Sequence, residues 1–389
     1  MQHVTRRDRT GILSGSENGM RFALSAEQDQ FRQATRDFLT THSSSARVRE
    51  VIDTDHVVDE KLWGRLANDL GVVGLNIPEE FGGTGATFVE VAIAAEELGR
   101  ALACVPFLST AVLATSALLE SGDLAACGDI LPAIAEGRSI LAVALGDGPA
   151  RTGRPADPVP AAESVDGQWH VSGELTFVLD GAAADAVLFA ADTDGGPSLF
   201  LVDSRAAQVE SLTGLDLTRR FAHLRLAYAP ARLVGTVGDA TRILARVADL
   251  GSVAIAADAV GGAESCLDMA VAYAKIREQF GKPIGSFQAV KHKCATVLLE
   301  VESARAAAYY AAWAAMASPE DLPQAASMSK AYCSDMYVHA AQENIQIHGG
   351  IGFSWEHPAH LYFRRAKSAQ MLFGSPSAHR ERLADLLGI

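Results

Sequence analysis

Apolar positions follow a helical spacing in the first third of the chain. Phe31 and Phe38 lie seven residues apart, which puts them on one helix face two turns from each other. The segments Ser25–Gln28 and Thr87–Glu90 have the order of a capping box, in which a Ser or Thr hydroxyl and a Gln or Glu side chain each bind the other residue's backbone amide. We therefore predict an N-terminal α-helical domain over residues 23–137.

The spacing changes in the middle of the chain. Short apolar and β-prone segments follow one another there, separated by Gly, Pro and Asp: SILAVAL, WHVSGEL, FVLDG, AVLFAAD, SLFLVD and AHLRLAY. No helix-length segment lies between them, so the pattern favours an antiparallel β-domain over alternating strands and helices. We assign this domain to residues 138–235, and we predict a surface loop over RTGRPADPVPAAESVDG, residues 151–167, which contains Pro155, Pro158 and Pro160.

Helical spacing returns over residues 236–389, which we predict to be a C-terminal α-helical domain. The segment KHKCATVLLEVESARAAAYYAAWAAM has its apolar residues on one stripe: Cys294, Val297, Leu298, Val301, Ala304, Ala308 and Ala312. Its many alanines allow helices to approach closely, as in a four-helix bundle. The three blocks together predict an α+β fold.

Composition narrows the function. The 389 residues are 49% hydrophobic and 21% charged, which is typical of a globular protein, and the net charge of −14 opposes nucleic-acid binding. No apolar run is long enough for a membrane span. Residues 1–20 carry three arginines, Arg6, Arg7 and Arg9, but no apolar segment follows them, so we predict a disordered tail over residues 1–22 and not a secretory signal. The five cysteines are spread singly, which favours a reduced, cytoplasmic protein.

Two glycine-containing turns in the last block are the candidates for a ligand site. One runs from Arg277 to Gln288 and the other from Gln346 to Phe353. Glycine lets backbone amides approach a phosphate or a ring, an arginine neutralises a pyrophosphate, and Phe280 offers a face for stacking. Taken alone, both turns are equally consistent with ordinary helix ends. His357 and His360 beside Glu356 are too few for a metal site, and we predict no metal.

Together the two turns carry a resemblance to a known family. The pattern R-x-x-F-G-x-x-I-x-x-F-Q, followed about 60 residues later by Q-x-x-G-G-x-G-F, resembles the acyl-CoA dehydrogenase family. The segments LSAEQDQFRQATRDFL and GVVGLNIPEEFGGTG resemble that family's opening, and the order of the three blocks matches its fold. The segment GFSWEHPAHLYFRRA is similar to actinobacterial members, some of which act on steroid side-chain thioesters.

The resemblance implies an FAD-dependent enzyme that converts an acyl-CoA substrate to the 2-enoyl-CoA. It implies a tetramer in which FAD lies between subunits and passes its electrons to an electron-transfer flavoprotein or a similar acceptor. The residues that it assigns to the cofactor are Arg277, Phe280 and Gln288 on one side of the adenosine and pyrophosphate, Gln346, Gly349 and Gly350 on the other, and Gly374 and Ser375, which match a Gly-Thr pair after the family's catalytic Glu.

The sequence departs from that family at the catalytic base. The two positions at which members carry the Glu are Phe373 and Gly251 here. Asp249 and Asp258, near Gly251 on the same predicted helix, are candidates for a displaced base. Two readings therefore stay open. The chain is either a dehydrogenase with a relocated base, or a non-catalytic FAD-binding subunit of a heterotetramer with a Glu-bearing paralogue. In either case we expect Gly251→Glu to be the simpler repair, because a helix glycine leaves room for a side chain.

Overall fold

The computed structural model describes residues 24–54, 58–146 and 159–389. The predicted disordered tail, 1–22, lies outside those residues. Pro155 and Pro158 of the predicted surface loop also lie outside them.

The first block is helical, and both predicted capping boxes are confirmed. The Ser25 hydroxyl accepts a hydrogen bond from the Gln28 amide at 3.2 Å, and the Gln28 side chain accepts one from the Ser25 amide at 2.9 Å. Thr87 and Glu90 form the same reciprocal pair. A π-helical segment, Phe107–Ala114, follows the fourth helix. The α-helices of this block are α1 (Ala26–His42), α2 (Ser45–Ile52), α3 (Glu60–Asn68), α4 (Phe88–Arg100), α5 (Thr115–Ser121) and α6 (Leu124–Ala135).

The middle block forms one seven-stranded sheet in the order β1-β4-β5-β7-β3-β2, with β6 also paired to β7. Its strands are β1 (Leu141–Ala144), β2 (Ala161–Val165), β3 (Gln168–Leu179), β4 (Ala186–Ala191), β5 (Ser198–Asp203), β6 (Ala207–Leu212) and β7 (Phe221–Leu233). The purely antiparallel prediction is wrong for one pair, because β1 runs parallel to β4. Strands β2 and β3 lie between β1 and β4 in the sequence, and this long connection allows β4 to run in the same direction as β1.

Three details of the sheet differ from the sequence prediction. The segments WHVSGEL and FVLDG belong largely to one strand, β3, whose register against β7 shifts twice. Strands β2 and β6 were not predicted, since both are mostly exposed and neither has a run of buried apolar residues. Part of the predicted loop is therefore strand β2.

The last block contains five α-helices: α7 (Ala240–Ile276), α8 (Gln288–Ala317), α9 (Leu322–His348), α10 (Ala359–Met371) and α11 (Pro376–Leu387). Helices α7, α8 and α9 pack against one another, and α10 packs on α7 and α9 as the fourth member. Helix α11 packs on α9 as a fifth helix, beyond the four that were predicted. A short hairpin between α7 and α8 pairs β8 (Glu278–Gln279) with β9 (Lys282–Pro283).

The α8 stripe is buried as predicted at Val297, Val301, Ala304, Ala308 and Ala312. Cys294 is only half-buried, and Leu298 is 51% exposed. Leu298 lies next to Val297, and successive residues of a helix point about 100° apart, so both cannot face the same neighbour.

Two glycines allow a helix of the first block to pack closely against a helix of the last block. A Cβ on Gly261 of α7 would lie 1.8 Å from the Glu96 carbonyl oxygen of α4, and one on Gly99 would lie 2.2 Å from the Asp258 carbonyl oxygen. Only glycine allows the two helix backbones to come this close. The contact fixes α4 against the part of α7 that follows Gly251. Within the described residues, no helix combines the length and the apolar character that crossing a bilayer requires.

Candidate functional site

The first predicted cofactor turn is a tight hairpin at the end of α7. Its tip is Phe280 and Gly281, with φ angles of 54° and 73°, and two successive positive φ angles define the turn type common in two-residue hairpins. Phe280 is 91% exposed. A bulky residue held in the left-handed region without packing is costly, so such strain is a mark of functional turns.

Arg277 and Gln288 stand at the two ends of this turn. The Arg277 amide donates to the Tyr273 carbonyl at 2.9 Å and closes α7, and Gln288 is the first residue of α8. Both side chains are exposed. Among the described residues, nothing forms a hydrogen bond or an ion pair with the Arg277 guanidinium.

The second predicted turn ends α9. Gly349 has a φ of 62°, and a 3₁₀ segment covers Gly349–Phe353. A Cβ added at Gly349 or Gly350 would meet nothing within 4 Å, so the backbone of this turn faces open space. Gln346 is exposed one turn earlier.

The structure brings these two turns to the same end of the helical bundle. The Tyr273 and His348 rings stack with centroids 4.4 Å apart, and Ile347 packs with Ala274. These contacts lie within four residues of Arg277 and Gly350. Six of the eight predicted cofactor residues therefore share one end of the bundle; their contact with FAD stays a prediction.

The other two predicted residues, Gly374 and Ser375, lie elsewhere. The Gly374 carbonyl accepts a hydrogen bond from Lys330 Nζ at 3.1 Å, and Lys330 is near the start of α9. A helix rises about 1.5 Å per residue, so Lys330 and His348 are about 27 Å apart along α9. One chain thus does not gather all eight residues at one point. The Ser375 hydroxyl caps α11 by accepting from the Ala378 amide at 3.2 Å.

The two empty base positions face each other. A Cβ on Gly251 would lie 2.7 Å from Leu113 Cδ2 and 3.0 Å from Phe373 Cε2. The Phe373 ring therefore covers the bare backbone of Gly251. The space that we expected at Gly251 is therefore not open: a Glu side chain there requires the Leu113 side chain and the Phe373 ring to shift.

Both aspartates that were candidates for a displaced base form ion pairs with arginines. Arg382 Nη2 donates to Asp249 Oδ2 at 3.0 Å, and its Nη1 contacts the other oxygen. Asp258 accepts from Arg219 at 2.7 Å and from Arg365 at 2.8 Å. Burial alone would raise the pKa of Asp258, but the two guanidinium groups hold it below its usual value. A carboxylate paired in this way is a poor proton acceptor.

A third buried carboxyl, which sequence reasoning missed, lines a small cavity. Asp180 follows β3, its Oδ2 lies 2.6 Å from Ser109 Oγ, and burial raises its pKa to about 6. The cavity measures about 30 Å³, and it is also lined by α4, by residues 103–108, by α7 and by Arg219 and Arg365. That volume holds about one or two water molecules. A signal was available in the sequence, since Asp180 directly follows the apolar residues of the segment FVLDG.

The histidines near the second turn are used in packing. His348 and His357 rings lie 4.3 Å apart, and His360 Nε2 bonds the Trp355 carbonyl at 3.1 Å. No cluster of three or more His, Cys, Asp or Glu side chains suited to a metal occurs among residues 24–54, 58–146 and 159–389.

Comparisons with known proteins agree with this architecture. Residues 25–138 match the acyl-CoA dehydrogenase N-terminal domain, and residues 241–388 match its C-terminal domain. Acyl-CoA dehydrogenase IpdE2 of Mycolicibacterium smegmatis is 34% identical over 92% of this chain and 98% of its own length. Acyl-CoA dehydrogenase FadE34 of Mycobacterium tuberculosis is 35% identical over 92% of this chain and 48% of its own.

Solved structures give the same result. A variant of the Tcur3481–Tcur3483 steroid ACAD has 31% identity and a TM-score of 0.83 over 93% of this chain and 98% of its own. The ChsE4–ChsE5 complex of Mycobacterium tuberculosis has 28% identity and a TM-score of 0.86 over 95% of this chain and 99% of its own. The fold and site therefore define a flavin-dependent oxidoreductase of the class that acts on CH–CH bonds. The chain belongs to the acyl-CoA dehydrogenase family.

The residues present fit FAD unevenly. The end with Arg277, Phe280, Gly349 and Gly350 offers an unpaired cation, an exposed aromatic face and open backbone, which suit a pyrophosphate and an adenine. At the other end, the Phe373 ring fills the space over Gly251 and the neighbouring cavity is small.

Proposed function

We propose that this chain is the non-catalytic, flavin-holding subunit of a heteromeric acyl-CoA dehydrogenase. A paralogous chain that carries the Glu supplies the base. The observation that carries the proposal is the packing of Phe373 and Leu113 on Gly251, because neither base position carries a carboxylate and the Phe373 ring occupies the space beside Gly251. The pairing of Asp249 and Asp258 with arginines supports it further.

In this assembly the chain's task is to bind and orient the cofactor. Arg277, Phe280 and Gln288 hold the adenosine and pyrophosphate of FAD from one side, and Gln346, Gly349 and Gly350 hold them from the other. When bound, FAD supplies the hydride acceptor for α,β-dehydrogenation of the acyl-CoA. The separation of about 27 Å along α9 between this end and Gly374 favours a flavin shared by two subunits. An electron-transfer flavoprotein or a similar protein accepts the electrons.

The names of similar proteins support a two-chain enzyme and a bulky acyl group. Two of the similar structures carry paired names, ChsE4–ChsE5 and Tcur3481–Tcur3483, and the latter is called a steroid ACAD. We therefore propose a steroid-type acyl-CoA as the substrate of the assembly. A cytoplasmic location is part of the proposal; its support is the five free cysteines, four of which are buried.

Co-purification tests the proposal. The chain is expressed alone and together with a neighbouring acyl-CoA dehydrogenase that keeps the Glu, and flavin reduction is followed by its absorbance after a steroid-type acyl-CoA is added. We expect bleaching only for the pair, and a loss of about 10²–10⁴-fold in rate when the partner's Glu becomes Gln. Rapid bleaching by this chain alone would overturn the proposal.

One observation favours the alternative of a self-sufficient enzyme. Asp180 lines the cavity beside α7 and has a pKa of about 6, which suits a general base near neutral pH. If the chain alone reduces flavin, Asp180→Asn should abolish that activity. Asp129→Asn, at an exposed carboxylate on α6, is the matched control and should leave the activity unchanged.

A further inference from the structure

The turn between α10 and α11 has an unusual backbone. Phe373 has a φ of 61° and Gly374 has a φ of 113°. Glycine adopts such angles freely, but an aromatic residue does so only when its surroundings hold it there. The contacts that hold Phe373 are therefore informative.

Two buried side chains bind the carbonyls of this turn. Lys330 Nζ donates to the Gln370 carbonyl at 3.2 Å, to the Gly374 carbonyl at 3.1 Å and to Ser334 Oγ at 3.0 Å. His379 Nε2 donates to the Phe373 carbonyl at 3.1 Å. Both Lys330 and His379 are 0% exposed. Because Gln370 lies in the last turn of α10, its carbonyl also carries negative helix-dipole charge toward the ammonium.

The amides of the same turn are not all paired. The Leu372 amide bonds the Ser368 carbonyl at 3.0 Å, and the Gly374 amide bonds the Met371 carbonyl at 3.2 Å. Between them, the Phe373 amide has no hydrogen-bond partner among the described residues. An unpaired amide between two paired ones is a donor available to an oxygen acceptor.

We propose that Lys330 and His379 are positioning residues that hold the Gln370–Ser375 turn, so that the Phe373 ring stays on Gly251 and the Phe373 amide stays unpaired. Neither residue touches the ring or the amide. They act through the carbonyls on each side of it, from two different helices, α9 and α11. The inference does not depend on whether this chain or its partner supplies the base.

The surroundings of Lys330 provide a readout. Burial lowers the pKa of Lys330 to about 7, Cys333 and Asp335 of α9 oppose that shift, and Arg219 adds to it. Asp335 is itself bonded to Gln370 Nε2 and Arg380. His379, on α11, is neutral near pH 7, because burial and Lys330 lower its pKa to about 4. Lys330 is thus the group at this turn whose charge changes near neutrality.

The experiment places 4-cyanophenylalanine at position 373 of the full chain and follows the nitrile infrared band from about pH 5.5 to 9. We expect a frequency transition with a midpoint near the pKa of about 7 for Lys330. Lys330→Met should remove the transition. Lys293→Met, at a partly exposed lysine paired with Glu343, should leave it in place.

A milder variant protects the test against misfolding. Ser334→Ala removes one acceptor of the ammonium, which disfavours the charged form, so the midpoint should move to lower pH. His379→Leu should broaden the nitrile band, because the turn loses one of its anchors, while His379→Gln keeps a donor and should restore the sharp band. An unchanged transition in folded Lys330→Met, or an unbroadened nitrile band in folded His379→Leu, would overturn the proposal.

Discussion

Phe373 serves two purposes at one position. Its ring covers Gly251 together with Leu113, and its amide stays unpaired among the described residues. The ring occupies the place of a base, while the backbone keeps a hydrogen-bond donor. This combination is what a chain needs if it keeps the shape of the family's site without its proton acceptor.

Gly251→Glu alone should destabilise the chain. The new Cβ would collide with Leu113 and Phe373, and the carboxylate would be buried without a partner, so we expect a loss of about 2–4 kcal/mol in the free energy of unfolding. Urea unfolding measures it. Gly128→Glu, at an exposed helix glycine with open space around it, should cost little. Adding Phe373→Ala to Gly251→Glu should recover part of the loss, and no recovery would mean that the ring does not occupy this space.

Arg277→Ala should weaken FAD binding without unfolding the chain. The substitution removes a charge-assisted contact to the pyrophosphate, which corresponds to roughly ten- to hundred-fold in the dissociation constant. Flavin retained after dialysis, measured by absorbance, gives the result. Arg138→Ala, at an exposed arginine paired with Glu136, is the control. Equal flavin in both variants would show that Arg277 only ends α7.

At the scale of elements, the sequence predicted what depends on local pattern and missed what depends on distant contacts. The capping boxes of α1 and α4 formed as predicted, because all their partners lie within three residues. Strands β2 and β6 were missed, because their mostly exposed residues form strands through pairing with β3 and β7 and not through an apolar pattern of their own. The same reason explains Asp249: its partner, Arg382, lies 133 residues away in the chain.

Lys330, on α9, should make stability depend on pH. Its pKa is about 7 in the folded chain and about 10.4 in an unfolded one. Between these values the unfolded state binds more protons, so the free energy of unfolding rises with pH, by at most about 1.4 kcal/mol per unit. The destabilisation is fully present below pH 7 and is relieved above it. Urea unfolding at fixed protein concentration should show this slope, and Lys330→Met should lose it while Lys293→Met keeps it.

At the scale of the whole molecule, the surface shows where a partner is expected. Ile276, Phe280 and Phe353 are exposed near the two cofactor turns, and Leu298 and Leu299 are exposed on α8. Large apolar side chains grouped in this way typically mark a protein interface. Ile276, Phe280 and Phe353 lie at the end of the bundle that we assign to a flavin shared by two subunits, and Leu299 lies about 16 Å further along α8. We therefore expect assembly and cofactor binding to be coupled.

The last prediction uses two leucines of equal exposure. Leu299 on α8 is 70% exposed and Leu124 on α6 is 71% exposed. Leu299→Lys puts a charge into the expected interface and should dissociate the assembly, because a buried unpaired ammonium is expensive. Leu124→Lys changes the same side chain away from that interface and should not. Sedimentation of the co-purified protein measures assembly, and circular dichroism verifies that both variants fold. If FAD leaves together with the dissociating partner in Leu299→Lys, the flavin is shared between subunits; if both variants sediment alike, α8 is not the interface.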